Sequence, residues 1–305
     1  MFIAMEKVVV LLSTYNGEKY LVEQLNSLVG QRGVDVDIIV RDDGSIDGTI
    51  NILNEWQSKD LLRWYSGGNM GSAASFMDLL YKSPDADFFA FCDQDDVWFP
   101  DKLIRAVELL KERGRNEVPN LYFSAQTLVD MDKNVIGYNA PKRLLTFGES
   151  LLRNPAAGCT MVFTKELRDL IIREKPDYVY MHDMWLYMVC LSVGGEIIYD
   201  PKPSMLYRQH SNNVVGCNQS FFSKLRRRFK IFLNSKDSVR LKTCNQLLKC
   251  YSKDMTARHV YILNNITTYR SSVKSKLRVL CFRELKTTSV FAKFALFVAV
   301  LTNRY

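Results

Sequence analysis

Short apolar segments alternate with amphipathic segments along the first two-thirds of the chain. The apolar runs at residues 8–12, 36–40 and 88–92 have the length of buried strands. Each run ends in a polar turn, and leucines and aromatic residues at helical spacing follow. This repeated pattern of strand, turn and helix predicts an α/β fold with a mostly parallel central sheet and helices on both faces.

Further elements continue this pattern toward residue 200. Additional strands are predicted near residues 62–65, 121–125, 161–163 and 196–199, and helices at residues 102–113 and 185–193. Between Leu121–Ala125 and about Gly148 the chain shows only a polar stretch.

Polar residues follow the predicted strands and would meet at one edge of the sheet, because ligands of such sheets bind at the carboxyl ends of the strands. Those residues are Thr14, Asn16, Asp42, Asp43, Asn69 and Asp93. The chain has neither GxGxxG after the first strand nor GxxxxGKS/T, which argues against a dinucleotide fingerprint and a P-loop. Acidic side chains suit ribose hydroxyls, base N–H groups and a metal ion that carries phosphate. A nucleoside diphosphate bridged by a metal ion meets all three conditions.

Three carboxylates, Asp93, Asp95 and Asp96, follow the strand at residues 88–92. Carboxylates this close repel one another unless a cation lies between them. Oxygen ligands in a short loop suit Mg²⁺ or Mn²⁺, often together with phosphate oxygens. The alternative is a solvated acidic turn that leads into the helix opened by Pro100.

Further candidate groups lie after residue 150. Asp183 stands near the first turn of the apolar helix predicted at residues 185–193, where it is either a functional carboxylate or an N-cap. Arg208, His210 and two amides fall within a short span. The small residues at 154–160 either let a substrate approach the backbone or form a packing turn.

Composition is that of an ordinary globular protein. The chain has 305 residues, of which 47% are hydrophobic and 24% are charged. Its seven cysteines show no CxxC spacing, so neither a zinc site nor a disulfide framework is expected, and reduced thiols indicate the cytoplasm. We expect no secretory leader, because the first strand begins almost at once, at Lys7, without a basic and then apolar segment before it. No apolar run reaches the ~18 residues needed to span a bilayer.

Positive charge is concentrated at one end of the chain. Residues 217–305 hold 19 Lys and Arg against three Asp and Glu. We therefore expect one domain at residues 1–216 and a basic, mainly helical region at residues 217–305. Residues 221–233 interleave aromatic rings with cations, which is typical of binding to an anionic membrane surface, and residues 289–301 could form a second interfacial helix. The alternative is a helical subdomain with buried apolar faces. Nucleic acid is not an expected partner, because no recognised module is present.

Taken together, these motifs resemble those of the family 2 glycosyltransferases, which have the nucleotide-sugar-binding A fold (GT-A). The motifs are Ser13-Thr14-Tyr15-Asn16-Gly17, Asp42-Asp43-Gly44-Ser45, Asp47-Gly48-Thr49, Asn69-Met70-Gly71, Asp93-Gln94-Asp95-Asp96, Trp98-Phe99-Pro100-Asp101-Lys102-Leu103, His182-Asp183-Met184-Trp185 and Tyr207-Arg208-Gln209-His210-Ser211-Asn212-Asn213. The resemblance covers residues 7–216 and points most to the rhamnosyltransferase-type enzymes that build bacterial surface polysaccharides.

The resemblance implies a role for each matching position. The nucleotide-sugar site would comprise Thr14, Tyr15, Asn16, Asp42, Asp43, Asn69, Asp93 and Arg208, with base and ribose held by the first four and ribose also by Asp93. Asp95 would ligate the metal on the diphosphate, and His210 would add a second metal or diphosphate contact. Asp183 falls at the catalytic base. Many relatives carry Glu-Asp there, whereas this chain has His182 before the aspartate, so the preceding contact to the acceptor differs.

The sequence therefore predicts a metal-dependent inverting glycosyltransferase. Asp183 would take the proton from an acceptor hydroxyl while the metal at Asp95 and the cation Arg208 stabilise the leaving diphosphate. A single displacement inverts the anomeric carbon. We expect dTDP-rhamnose first and UDP-hexoses next as donors, a saccharide or lipid-linked saccharide as acceptor, and a cytoplasmic location at the inner face of the cell membrane.

Two alternatives stay open. A nucleotidyltransferase also uses carboxylates and a metal ion, but it normally has a glycine-rich basic loop after the first strand, and no Lys or Arg precedes Lys19 in this turn. A catalytically silent sugar-nucleotide-binding scaffold would be expected to lack Asp95 or Asp183, and both are present.

Overall fold

The structure is a computed structural model that describes residues 5–209, 239–285 and 290–303, with only the backbone described for residues 290–295. The predictions for His210 and for the segment 221–233 lie outside the described residues.

Eleven strands, eleven α-helices and three short 3₁₀ helices are present in the described ranges. In chain order the strands are β1 (Lys7–Thr14), β2 (Asp35–Asp42), β3 (Arg63–Ser66), β4 (Phe88–Asp93), β5 (Val97–Trp98), β6 (Asn120–Ser124), β7 (Gln126–Val129), β8 (Val135–Asn139), β9 (Val162–Thr164), β10 (Glu196–Asp200) and β11 (Met205–Arg208). The helices are α1 (Leu21–Val29), α2 (Thr49–Gln57), α3 (Ser72–Tyr81), α4 (Lys102–Arg113), α5 (Phe147–Ser150), α6 (Lys165–Arg173), α7 (His182–Ser192), α8 (Val239–Tyr251), α9 (Ala257–Thr267), α10 (Val273–Cys281) and α11 (Val290–Leu301).

Seven strands form the central sheet, in the order β10-β6-β9-β4-β1-β2-β3. Neighbouring strands pair in parallel except at β9, which runs antiparallel to both β4 and β6. The predicted α/β fold with a mostly parallel sheet is confirmed.

The central strand β1 is apolar on both faces because helices cover both sides of the sheet. Val9 and Leu11 face one core together with Phe76 of α3. Val10 faces the other core together with Leu25 of α1. A strand buried on both sides carries a continuous apolar run, and this signal is what predicts β1, β2 and β4 from the sequence.

A second sheet of four strands lies beside the first, in the order β5-β11-β7-β8. The polar stretch before Gly148 holds β7 and β8, which the sequence pattern did not indicate, and α6 was also missed. These strands are short, and β7 buries polar residues such as Gln126, so an apolar signal is weak. In this sheet β5 pairs antiparallel with β11, which fixes the chain just after the acidic turn at residues 93–96.

Described helices of the basic region pack against α7, which lies in the first domain. Leu247 and Tyr251 of α8 and Ile262 of α9 belong to the same core as Trp185 of α7. The ring centroids of Trp185 and Tyr251 lie 5.9 Å apart. Buried apolar faces are what the helical-subdomain interpretation expects, while the boundary at residue 217 stays a prediction. None of the helices in the described ranges is long and apolar enough to cross a membrane.

Candidate active site

The ends of β1, β2 and β4 bring several predicted site residues to one edge of the sheet. Thr14 pairs with Asp42 across β1 and β2, and Ser13 pairs with Asp93 across β1 and β4. These positions are therefore neighbours in space although they are far apart in sequence.

Asp42 and Asn16 shape the two loops that border this edge. The Asp42 carboxylate accepts hydrogen bonds from the Gly44 and Ser45 amides at 3.0 and 2.9 Å and from the Ser45 hydroxyl. The Asn16 side chain accepts from the Ile46 amide at 2.9 Å, and Asn16 itself has a left-handed φ of 48°. Asp42 thus shapes the loop after β2, and Asn16 joins the loop after β1 to it. The contact of either residue with a nucleobase or ribose stays a prediction.

Asp43 is tied to the start of α3. Its carboxylate pairs with Arg41 and accepts from the amides of Met70 and Gly71 at 3.0 and 2.9 Å. Asn69 is the exposed residue just before these amides. The Asp43 carboxylate is thus engaged by groups of the protein itself, and its contact with a nucleotide sugar stays a prediction.

Gln94 joins the acidic turn to the loop after β1. Its Oε1 accepts from the Thr14 hydroxyl at 2.6 Å and from the Tyr15 amide at 2.8 Å, and its Nε2 donates to the Tyr15 carbonyl at 3.1 Å. A Cβ on Gly17 would lie 2.5 Å from the same Oε1. Gln94 could not be assigned a role from the sequence, because its partners are about 80 positions away.

The acidic turn brings three possible metal ligands together. Side-chain ligand atoms of Asp93, Asp96 and Cys159 lie within 4.8 Å of one another. Asp96 is buried, and neither of its oxygens accepts a hydrogen bond of ordinary geometry from the described residues. Asp95, the predicted ligand, is half-buried in the same turn. An orphaned buried carboxylate beside two others fits a divalent cation.

The charges in this turn act on each other. Burial, followed by the charges of Asp95 and Asp183, raises the pKa of Asp93 to about 7. Burial, followed by the charges of Asp95 and Asp93, raises the pKa of Asp96 well above its ordinary value. Burial also raises the pKa of the Cys159 thiol, so the thiol stays neutral and is a poor ligand for a hard cation. The carboxylates are therefore the groups that would hold Mg²⁺ or Mn²⁺.

Lys102, six residues after the acidic turn and at the start of α4, is fully buried. Its ammonium donates to the Cys159 carbonyl and lies 3.7 Å from the centre of the Trp98 ring. Burial lowers the pKa of Lys102 to about 8, against the neighbouring negative charges that raise it. The sequence pattern gave this lysine no function of its own.

Asp183 is buried at the start of α7. The helix has Met181 as its N-cap and no side-chain cap bond, so the N-cap interpretation of Asp183 is wrong. Its carboxylate accepts from the Met184 amide at 2.6 Å. Burial raises the pKa of Asp183 to about 6, against hydrogen bonds from the Met184 and Gly158 amides and the Asn154 side chain that lower it. The short 3₁₀ turn Gly158–Thr160 therefore holds the predicted base.

His182 packs in the core beside this base. Its ring stacks on Phe76 at 4.0 Å and meets Phe91 edge-on at 4.8 Å. Burial lowers its pKa to about 3, so the imidazole is neutral at ordinary pH. Neither ring nitrogen has a hydrogen-bond partner among the described residues.

Arg208 is buried and engaged with α1. It donates to the Glu23 carboxylate at 2.6 Å, and its guanidinium lies 4.8 Å from the centre of the Tyr20 ring. Glu23 also pairs with Lys133, which follows β7. The role of Arg208 at the diphosphate stays a prediction.

A separate cavity of about 370 Å³ opens at the opposite edge of the sheet, next to Asp87 and Phe88, where β4 begins. Ligands of open α/β sheets bind at the carboxyl ends of the strands, so we place the active site at the acidic turn and not in this cavity.

Known proteins resemble the chain in sequence and in fold. Residues 9–165 match the Glycosyl transferase family 2 profile. The dTDP-rhamnosyl transferase RfbG of Shigella flexneri is 34% identical over 236 residues, which cover 71% of this chain and 77% of that protein. An uncharacterized glycosyltransferase of Nostoc sp. is 33% identical over 107 residues, or 34% of this chain and 33% of that protein.

Among solved structures, that of S. aureus TarS 1-349 in complex with UDP-GlcNAc superposes with a TM-score of 0.55. The match has 16% sequence identity and covers 98% of this chain and 93% of that chain. At this identity the likeness concerns the fold alone.

Proposed function

The chain belongs to glycosyl transferase family 2, and we propose that it moves a sugar, rhamnose before others, from a nucleoside diphosphate to a hydroxyl of a bacterial surface polysaccharide or a lipid-linked saccharide. The family match and the likeness to RfbG confirm the resemblance drawn from the motifs. They also confirm the enzyme class, a glycosyltransferase. The likeness to TarS confirms the GT-A fold. Family membership favours sugar transfer over the nucleotidyltransferase and scaffold alternatives.

The choice of donor follows from the relatives. RfbG is named for transfer of rhamnose from dTDP, and its similarity extends over most of both chains. TarS is described in complex with UDP-GlcNAc. We therefore propose dTDP-rhamnose as the first donor and a UDP-hexose as the second.

One observation carries the proposal. The neighbouring residues Gly158 and Cys159 contact the proposed base and the acidic turn. The Gly158 amide donates to the Asp183 carboxylate, and the Cys159 side chain lies against Asp93 and Asp96. A proton-accepting carboxylate and an acidic, metal-compatible turn are thus held by one short segment. This is the arrangement that sugar transfer from a nucleoside diphosphate requires.

Asp183 is suited to act as the general base. Burial makes its carboxylate more basic than an exposed aspartate, and a base with a pKa near 6 is still ionised at neutral pH. It would take the proton from the acceptor hydroxyl as that oxygen attacks the anomeric carbon from the face opposite the diphosphate. One such displacement inverts the configuration and needs no nucleophilic carboxylate.

The acidic turn would hold Mg²⁺ or Mn²⁺ through Asp93, Asp95 and Asp96, and such an ion neutralises charge on the leaving diphosphate. Gln94 holds this turn against the loop after β1 through its three hydrogen bonds. The carboxylates therefore stay next to Thr14 and Tyr15, which are proposed to contact the nucleobase and the ribose. Arg208 would add positive charge near the diphosphate.

We propose a cytoplasmic enzyme that works at the inner face of the cell membrane, where a lipid-linked acceptor would be found. The support is the concentration of 19 Lys and Arg in residues 217–305. Flotation with anionic liposomes tests this part: loss of co-flotation after Arg226, Arg227 and Arg228 are neutralised supports it, and no co-flotation of the parent protein contradicts it.

Donor binding is tested with a panel of nucleotide sugars. The purified protein, with Mn²⁺ or Mg²⁺, is screened for thermal stabilisation by dTDP-rhamnose, UDP-glucose, UDP-GlcNAc and GDP-mannose and for release of nucleoside diphosphate. We expect the largest shift with dTDP-rhamnose. Stabilisation by a UDP-hexose alone would replace dTDP-rhamnose as the proposed donor and leave sugar transfer as the proposed function. No response to any of these donors would contradict sugar transfer.

A further inference from the structure

Lys102 carries a positive charge where the fold disfavours one. It is the first residue of α4 and is fully buried. The amides at a helix start carry partial positive charge, and an ammonium removed from water needs compensation nearby. The surroundings of Nζ must therefore supply negative charge.

Direct contacts of the ammonium supply only part of that compensation. Nζ donates to the Cys159 carbonyl, lies 3.5 Å from the Met205 sulfur and stands over the Trp98 ring. These groups are neutral. Acidic groups lie one step further out: carboxyl oxygens of Asp93 and Asp96 lie within 4.8 Å of the Sγ of Cys159, the residue whose carbonyl accepts from Nζ. Their charge favours the ammonium form of Lys102.

Asp96 is a buried acidic group that needs positive charge or hydrogen-bond donors nearby. Its carboxylate is 1% exposed, and no described residue donates to it in ordinary geometry. Asp93 and Asp95 lie in the same turn and add charge of the same sign. Lys102 is the cation whose charge acts on Asp96.

Lys102 also reaches the segment that holds the proposed base. Its ammonium donates to the carbonyl of Cys159, and the amide of the preceding residue, Gly158, donates to Asp183. One buried cation is therefore bonded to the segment that orients Asp183, and its charge acts on the acidic turn.

We propose that Lys102 is a positioning residue, the internal counter-ion of the acidic turn, which keeps Asp93 and Asp96 together before a divalent cation arrives and fixes Gly158 and Cys159 beside them. The ammonium weakens cation binding by repulsion, and in return the turn is folded without the cation. The inference concerns the site of the proposed function and rests on it only for the cation-binding part of the test.

The test compares unfolding midpoints in EDTA and in MnCl₂, and Mn²⁺ affinity by calorimetry, without any sugar donor. The variants are Lys102→Met, Asp96→Asn and the double variant. Lys111→Met is the matched control, because Lys111 lies on the same helix but is exposed and pairs with Glu6 at the surface.

We expect Lys102→Met to lower the midpoint in EDTA by about 10 °C, because it leaves buried carboxylates uncompensated. Mn²⁺ should restore several degrees of this loss and should bind the variant about tenfold more tightly than the parent. The double variant should be more stable in EDTA than Lys102→Met alone, because the uncompensated charge is removed together with its partner. Lys111→Met should match the parent in every measurement.

Additive losses in the double variant, or equal responses of Lys102→Met and the parent to Mn²⁺, would overturn the inference. If Lys102→Met does not fold, recovery of soluble protein in the double variant supports the inference, and failure of both variants overturns it. If the parent binds no Mn²⁺, the proposed metal dependence fails, while the comparison of the single and double variants in EDTA still decides the role of Lys102.

Discussion

The Nε2 atom of His182 fills the space in which Gly158 would carry a side chain, 2.5 Å from an ideal Cβ position. The same Cβ would lie 3.4 Å from the Cβ of Asp183. The absence of a side chain at Gly158 is thus what lets the base and its neighbouring imidazole pack against the segment that holds them.

Replacing Gly158 with alanine should therefore displace His182 or the 3₁₀ turn, and the Asp183 carboxylate would move away from the position in which it accepts the proton. We expect kcat to fall by roughly 100-fold, since a shift of about 1 Å at a reacting group has that effect. Stability should fall by about 1–3 kcal/mol. Steady-state kinetics and chemical unfolding measure the two effects. Gly137→Ala is the control, because its Cβ would meet only the Leu128 side chain at 3.9 Å, and an unchanged kcat in Gly158→Ala would refute this account of the turn.

The raised pKa of Asp183 predicts how activity depends on pH. A carboxyl group whose pKa is about 6 is mostly protonated below pH 6 and cannot accept a proton there. The rate at saturating donor and acceptor should therefore rise as pH increases through about 6 and then level off, with a slope of about tenfold per pH unit on the acid side. A rate that stays flat between pH 5 and 7.5 would show that Asp183 titrates elsewhere or is not the base.

Gln94 should contribute to donor affinity by holding the acidic turn. Replacing it with alanine removes three hydrogen bonds to Thr14 and Tyr15. We expect the KM for donor to rise by about tenfold, equivalent to about 1.4 kcal/mol, with a smaller change in kcat. Gln57→Ala, which removes one exposed bond to the Trp64 amide, serves as control. If the donor kinetics do not differ between the two variants, the acidic turn keeps its position without the hydrogen bonds of Gln94.

Arg208 pairs with Glu23, and its predicted role at the diphosphate can be separated from that pairing. Removing a group that stabilises transition-state charge costs on the order of 10²–10³ in kcat, so Arg208→Met should lose activity on that scale. Glu23→Gln breaks the ion pair and leaves the cation, and we expect it to change kcat by about threefold at most. Equal losses in both variants would mean that the pair only joins α1 to β11.

Sequence alone predicts the residues whose signal is local. The apolar runs of β1, β2 and β4 and the polar turns after them are continuous in the chain, so the sheet and the positions of Asp42, Asp93 and Asp183 follow from pattern and motif. Gln94 and Lys102 could not be assigned in this way, because their partners Thr14 and Cys159 lie 80 and 57 positions away. A lysine at a helix start is most often solvated, and only packing shows that Lys102 is buried.

The second sheet could not be predicted for a different reason. β7 and β8 are short, and β8 is largely exposed, so neither carries the alternation or the apolar run from which strands are recognised. The ion pair of Arg208 with Glu23 depends on this sheet, since β11 is one of its strands.

The most direct measurement of the central claim is sugar transfer by Asp183→Asn with dTDP-rhamnose, Mn²⁺ and a saccharide acceptor. The substitution keeps the size of the side chain and removes its ability to take a proton. The account predicts that the variant binds donor as the parent does, measured by calorimetry, but transfers sugar at least about 1,000-fold more slowly. Transfer at the parent rate would contradict the assignment of Asp183 as the base and, with it, the proposed mechanism.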